Sequence, residues 1–403
     1  MAFALVSAAF IQAEPLYSPT WGFRLDLPEG YDLTGGDKKN SFSFKSELGT
    51  ILDIVVYTDK DSVKALAEDM EKRLSNKGET HIFNYNNKET AILELNIGQG
   101  RDAMAGWVLC LELETQIAPA ARASVAGGAN KKAYLAALAY GPAKPELECF
   151  HLSVLDSIEG GVSDHHLPGA MTEFFYPRGK WVTALLANSK EVAHFRENDA
   201  AAAQSVVERE FEVMKFYLNS PLWQEAWKRF YRAIFKDSFD RLEDAAFLLE
   251  RSWNNAVLGS SDNGEKLEEA QRLGARSEEA FYIASRALEW VQGFKYERDL
   301  QGSDFVNLVT AATEGRGDCD SRAMLWATII AQNHTPSGIM VSREYSHAMG
   351  IADLEGQGAR LPFKDDGGKE LRWLVAETTT DVAIGLIEQN VSVIDNWLGI
   401  VFE

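Results

Sequence analysis

Gly315-Arg316-Gly317-Asp318-Cys319-Asp320-Ser321-Arg322-Ala323, running on into Met324-Leu325-Trp326-Ala327-Thr328-Ile329-Ile330-Ala331, is the stretch on which the reading of this chain turns. Its two glycines give a sterically open approach. Asp318 is a favourable N-cap, because its carboxylate accepts the unpaired N–H groups of a first helical turn. Ala323, Trp326, Ala327 and Ile330 then recur at helical spacing on the face that carries Cys319. The spacing predicts a helix with Cys319 in its first turn, facing into the protein. The partial positive charge at a helix N-terminus favours a thiolate, so a lowered cysteine pKa is expected. The competing reading is a core cysteine that follows a loop, since free cysteines are among the most buried residues.

The residues downstream bear on that choice. Between 345 and 353, Tyr345, His347, Met349 and Ile351 share one face, while Ser346, Ala348, Gly350 and Ala352 share the other. That alternation predicts a strand. A second strand is expected at 371–378, and the Gly-, Asp- and Lys-rich stretch 354–370 reads as the loop between them. Pairing as an antiparallel hairpin centred near Pro362 places Ile351 opposite Trp373, Met349 opposite Val375, and His347 opposite Glu377. A carboxylate on an apolar face is costly without a partner, and the histidine supplies one.

A cysteine at a helix N-terminus, a histidine on a strand and a carboxylate on the next strand are the nucleophile, base and orienting acid of thiol catalysis. Gly317-Asp318-Cys319-Asp320 opening an apolar helix, then His347, then Glu377-Thr378-Thr379 closing the next strand, resemble the transglutaminase-like core of the papain-like thiol enzymes. The resemblance covers about 279–403. It implies Cys319 as nucleophile, His347 as general base and Glu377 as the acid that orients the histidine, a place often held by Asp in this superfamily. It also implies an oxyanion donor besides the Cys319 N–H. Gln292 and Asn307 both lie upstream, and spacing selects neither. No metal and no organic cofactor is required.

Composition narrows the partners. The 403 residues suffice for two or three domains, and 46% hydrophobic with 25% charged residues is ordinary globular composition. A net charge of −20 argues against nucleic acid and anionic membrane surfaces as partners. No apolar run reaches the ~18 residues of a transmembrane helix. Residues 1–13 are mostly apolar and end Ile11-Gln12-Ala13. They read as the remainder of a signal peptide, which implies export to the periplasm or cell envelope. The competing reading is a frayed apolar terminus of a cytosolic protein. Of the three cysteines, Cys110 and Cys149 either pair after export or remain buried free thiols.

The rest of the chain reads as α+β. Strands are expected at 21–28, 41–44, 51–57, 81–85, 90–97, 106–113 and 132–140, with helices at 62–74 and 147–158. This is a single antiparallel sheet with few helices. The opening Trp21-Gly22-Phe23-Arg24-Leu25-Asp26-Leu27-Pro28-Glu29-Gly30-Tyr31 and the element order resemble PsbP-like domains, which are small exported modules. Asp164-His165-His166 reads as a solvated loop rather than a metal site. A boundary is expected near Pro177, after which 181–218 and 222–258 read as helical. Trp223, Trp227, Phe230, Tyr231, Ile234 and Phe235 form an aromatic stripe expected to make a helix–helix core.

The expected organisation is therefore a signal remnant at 1–13, a PsbP-like domain at 14–178, a helical region at 179–275 and a transglutaminase-like domain at 276–403. The expected function is an exported thiol enzyme that cleaves or transfers an amide acyl group of a protein or peptide substrate in the envelope. The alternative is a non-catalytic envelope binding or scaffold protein on the same fold.

Overall fold

The computed structural model describes residues 15–74, 78–114, 132–258, 276–298, 304–364 and 370–402. The apolar stretch 1–13 lies outside them. The chain divides into two compact units, one of residues 1–175 with 209–233, the other of 176–208 with 234–403. The class is α+β, as the sequence pattern implies.

In the first unit, β1 (Tyr31–Gly35), β2 (Ser41–Ser46), β3 (Ile51–Tyr57), β4 (Thr80–Tyr85), β5 (Lys88–Ile97), β6 (Met104–Leu113) and β7 (Ala133–Pro142) form one sheet. Its order is β1-β2-β3-β7-β6-β5-β4, antiparallel throughout. The central strands are apolar on both sides because both faces are covered. Leu52, Ile54, Ile92, Leu109 and Leu135 pack with Val154 and Leu155 of α2 (Glu148–Asp156) and Met171 of α3 (Ala170–Phe175). Leu93, Val108, Cys110 and Tyr134 pack with Val63, Leu66, Ala67 and Met70 of α1 (Val63–Leu74). The strand expected at 21–28 shrinks to Arg24–Leu25 paired with Leu16–Tyr17.

The stretch expected to be helical from 181 does not begin as helix. Trp181–Leu185 (β8) and Val192–Arg196 (β9) form an antiparallel hairpin. Period-two alternation accounts for this, with Ala193 and Phe195 buried while Trp181, Leu185 and Val192 are exposed. Helix begins where the alanines do, in α4 (Asp199–Lys215), followed by α5 (Trp223–Arg241). The segment 209–233 belongs with the first unit, and its arginines show why. Arg229 bonds Glu210 at 2.7 Å and Ser153 Oγ at 2.8 Å; Arg232 grips Asp26 through two contacts of 2.9 Å; Arg209 reaches Asp156 at 2.6 Å. The stripe residues Phe230, Tyr231, Ile234 and Phe235 are buried.

The second unit holds α6 (Glu243–Leu258), α7 (Arg276–Gln292), α8 (Leu308–Glu314) and α9 (Cys319–Gln332). Short strands β10 (Lys295–Tyr296) and β11 (Arg316–Gly317) pair in parallel. The main sheet has β12 (Ser337–Ser342), β13 (His347–Ala352), β14 (Arg360–Lys364), β15 (Glu370–Ala376) and β16 (Leu398–Phe402), in the order β14-β15-β13-β12-β16. Helix α9 lies against this sheet. Trp326 is fully buried, donates its indole N–H to Ala284 of α7 at 2.9 Å, and presses on Gly350, where an added Cβ would stand 2.3 Å from its ring.

The hairpin register differs from the expected one. Gly350 pairs with Ala376, Ile351 with Val375 and Ala352 with Leu374. The displacement is by two residues, so every side chain keeps its face. The cause is β14, a strand in what reads as loop: it pairs with β15 and puts Pro362 opposite Arg372. As an edge strand, β14 tolerates a proline that cannot donate to a ladder.

Candidate active site

Helix α9 starts where the sequence indicates. Gly315, at φ 63°, closes α8 in the left-handed conformation that favours glycine. Asp318 caps α9, its Oδ1 accepting from Ser321 N at 2.8 Å and Ser321 Oγ at 2.6 Å. Cys319 follows, only 5% exposed. Its thiol donates to Asp320 Oδ1 at 3.3 Å, and the N–H of Ala348 is directed at the sulfur.

The electrostatics reverse the expectation of a lowered cysteine pKa. Burial, then the charges of Asp320 and Asp318, push the thiol well above its usual value and outweigh the Ala348 N–H. A helix terminus is worth roughly 0.3–1 kcal/mol near the surface, and two adjoining carboxylates oppose it. Asp318 is itself raised to about 7, by burial first and the Asp320 charge next.

His347 and Glu377 are brought together. Nε2 of the imidazole is 2.8 Å from Glu377 Oε2. The other carboxylate oxygen accepts from Thr379 N at 2.7 Å and Thr379 Oγ1 at 2.6 Å. Burial pushes the Glu377 carboxyl up, but these bonds outweigh it and hold it below its usual value. With Nε2 engaged, Nδ1 is the ring nitrogen left for a reaction. Trp397 stands edge-on to the imidazole at 6.2 Å, its own N–H bonded to Val391 O at 2.9 Å.

Cys319 and His347 are not joined: among the described residues no hydrogen bond links thiol to imidazole. Ala348, next in sequence to His347, meets the sulfur instead. The β13–β15 ladder ends at Gly350 and Ala376, and beyond that end lie both the Ala348 N–H and the His347–Glu377 bridge. Arg322, 2% exposed, ties the surrounding segments. Its guanidinium donates to Gly317 O at 3.2 Å, Thr378 O at 3.5 Å and Phe294 O at 2.5 Å, and lies 5.5 Å from the Tyr296 ring centroid.

Neither expected oxyanion donor is available. Gln292 Nε2 donates to Glu377 O at 2.8 Å and Val382 O at 2.9 Å. Asn307 Nδ2 donates to Gln204 and Thr310, while its Oδ1 caps α8. The group that sequence reasoning misses is Tyr296, half exposed, whose hydroxyl interacts with the Cys319 sulfur. Burial first, then Cys319, push this phenol up to about 12. Its signal was a two-residue strand, too short to read by periodicity.

His334 follows the far end of α9, a helix of 14 residues and thus about 20 Å long. His165 and His166 stack at 3.9 Å, with His165 on Glu159 at 3.2 Å. No group of three His, Cys, Asp or Glu among the described residues could hold a metal ion. Cys110 and Cys149 are free thiols, Cys110 in the sheet core and Cys149 directed at Glu146 O at 3.4 Å. No helix among the described residues is long and apolar enough to cross a membrane.

No protein family and no curated protein matches the chain. Solved structures overlap with it weakly. Over its N-terminal part it is similar to cyanobacterial PsbP (CyanoP) from Synechocystis sp. PCC 6803, at 10% identity over 38% of this chain and 95% of that one, with a TM-score of 0.27. It is also similar to a protein from Bacteroides thetaiotaomicron VPI-5482, at 11% identity over 58% of this chain and 80% of that one, with a TM-score of 0.24. Overlaps of this size do not establish a shared fold.

Proposed function

We propose that the second unit is a transglutaminase-like thiol enzyme, with Cys319 as nucleophile, His347 as general base and Glu377 as the acid that orients it. The observation that carries this reading is the His347–Glu377 bond of 2.8 Å at the strand end where Ala348 N–H meets the Cys319 sulfur. In the proposed reaction Cys319 Sγ attacks an amide or ester carbonyl as its proton passes to His347 Nδ1. The imidazolium then protonates the leaving amine or alcohol, and a thioester remains. Water completes hydrolysis, or a second amine completes acyl transfer. The substrate is a protein or peptide, in the envelope if residues 1–13 direct export, and the first unit is a PsbP-like accessory domain.

A second reading, a non-catalytic binding or scaffold protein, is favoured by one specific observation: the thiol is bonded to Asp320 and not to His347. Turnover of peptide amides and esters separates the two. The enzyme reading expects turnover that Cys319→Ala abolishes in folded protein. Turnover that survives in Cys319→Ala rejects it.

A further inference from the structure

The thiol of Cys319 has a partner in its own helix, the Asp320 carboxylate. Sγ donates to Asp320 Oδ1 at 3.3 Å, whereas among the described residues it makes no hydrogen bond to His347, the proposed base, whose Nε2 is on Glu377. We propose that Asp320 is a positioning residue of this site, which holds the S–H directed away from His347 until an acyl donor enters. This rests on the reading of Cys319 as a nucleophile and adds its resting state.

The groups facing the sulfur support the assignment. On α9 itself, Asp318 and Asp320 disfavour the thiolate. Arg322 opposes them, but its guanidinium is committed to three backbone carbonyls. From the segment 295–298, the Tyr296 hydroxyl interacts with the sulfur, and Arg298, bonded to Asp304 at 2.6 Å, adds a cation at longer range. From β13 comes the Ala348 N–H, and beyond the strand end the His347–Glu377 pair. Of the two carboxylates, Asp318 spends its Oδ1 on capping the helix. Asp320 alone holds the thiol hydrogen.

An acyl donor that displaces Asp320 from the thiol frees the proton to pass from Sγ to His347 Nδ1 as the C–S bond forms. Until then the cysteine is a poor nucleophile, which guards a buried thiol against stray electrophiles.

The test is alkylation of the full chain by iodoacetamide from neutral to alkaline pH, read by mass spectrometry on the peptide that holds Cys319. The wild type should react slowly at neutral pH. Asp320→Asn should move the midpoint down by about one pH unit or more, and speed neutral-pH alkylation about tenfold or more. Asp320→Glu should restore the wild-type profile. An Asn variant with the wild-type profile, or a Glu variant as fast as the Asn one, overturns the proposal. Asp320→Ser gives the same reading if the Asn variant melts early. Alkylation needs no acyl donor, so its outcome is independent of the turnover test of Cys319→Ala.

Discussion

His347 Nε2 and Glu377 Oε2 lie 2.8 Å apart although no ladder pairs the two residues. Their strands stop pairing at Gly350 and Ala376, and the side chains bridge the gap beyond. Both oxygens of Glu377 are used, one by the imidazole and one by Thr379. This carboxylate is therefore fixed as well as charged.

Glu377→Gln should keep the fold and cost less turnover than His347→Ala, because an amide still orients the ring but does not stabilise the imidazolium. Losing the base should cost about 10²–10⁴ in rate. Melting temperatures recorded beside turnover exclude unfolding as the cause. An inactive but folded Gln variant as damaged as Cys319→Ala would show that Glu377 does more than orient.

Asp318 gives a pH signature. It keeps its proton to about pH 7 in the folded chain, against 3.8 for the free group. Between those values the folded state binds more protons, so its contribution to stability declines as pH rises through the window and levels off above it. Asp318→Asn preserves the cap and removes the ionisation. The variant should melt higher than wild type above neutral pH, by roughly 2–4 °C per kcal/mol, and the difference should shrink towards pH 5. A difference that grows with acidity contradicts the assignment.

The first unit has an ion network to test. Arg229 is buried, bonded to Glu210 and Ser153 and to the Asp26 carbonyl. Arg229→Ala leaves Glu210 with less compensation and should cost about 3–5 kcal/mol. A fragment ending at residue 175 lacks Arg209, Arg229 and Arg232 altogether, and should not fold without 209–233. A cooperative melt of the shorter fragment would show that these pairs are dispensable.

Gly350→Ala probes the seat of the helix. Its new methyl would stand 2.3 Å from the Trp326 ring, which is fully buried and bonded to Ala284. Overpacking of this kind costs about 1–3 kcal/mol. Chemical denaturation should show that loss, and an unaffected midpoint would mean the helix can move away freely.

The sequence made some of this legible and hid the rest for identifiable reasons. Asp318 and the spacing from Ala323 to Ile330 placed α9, because capping and helical periodicity are local. Alternation put His347 and Glu377 on one face, and parity survived a register that was wrong by two. The strand at Arg360–Lys364 was hidden by Pro362 and neighbouring glycines, which read as loop. The hairpin at Trp181–Arg196 was masked by the strong helix formers that follow it. The raised thiol followed from what burial and Asp320 do together, which no spacing reveals. Tyr296 and Arg322 reach the site through tertiary contacts alone.

The most direct test is covalent trapping. The full chain is mixed with a p-nitrophenyl ester as acyl donor, quenched, and its cysteine peptides are weighed by mass spectrometry. The account predicts an acyl thioester on the Cys319 peptide of the wild type, greatly reduced in folded His347→Ala. Acylation of Cys319 that is equal in the two proteins, or none on Cys319 at all, would contradict it.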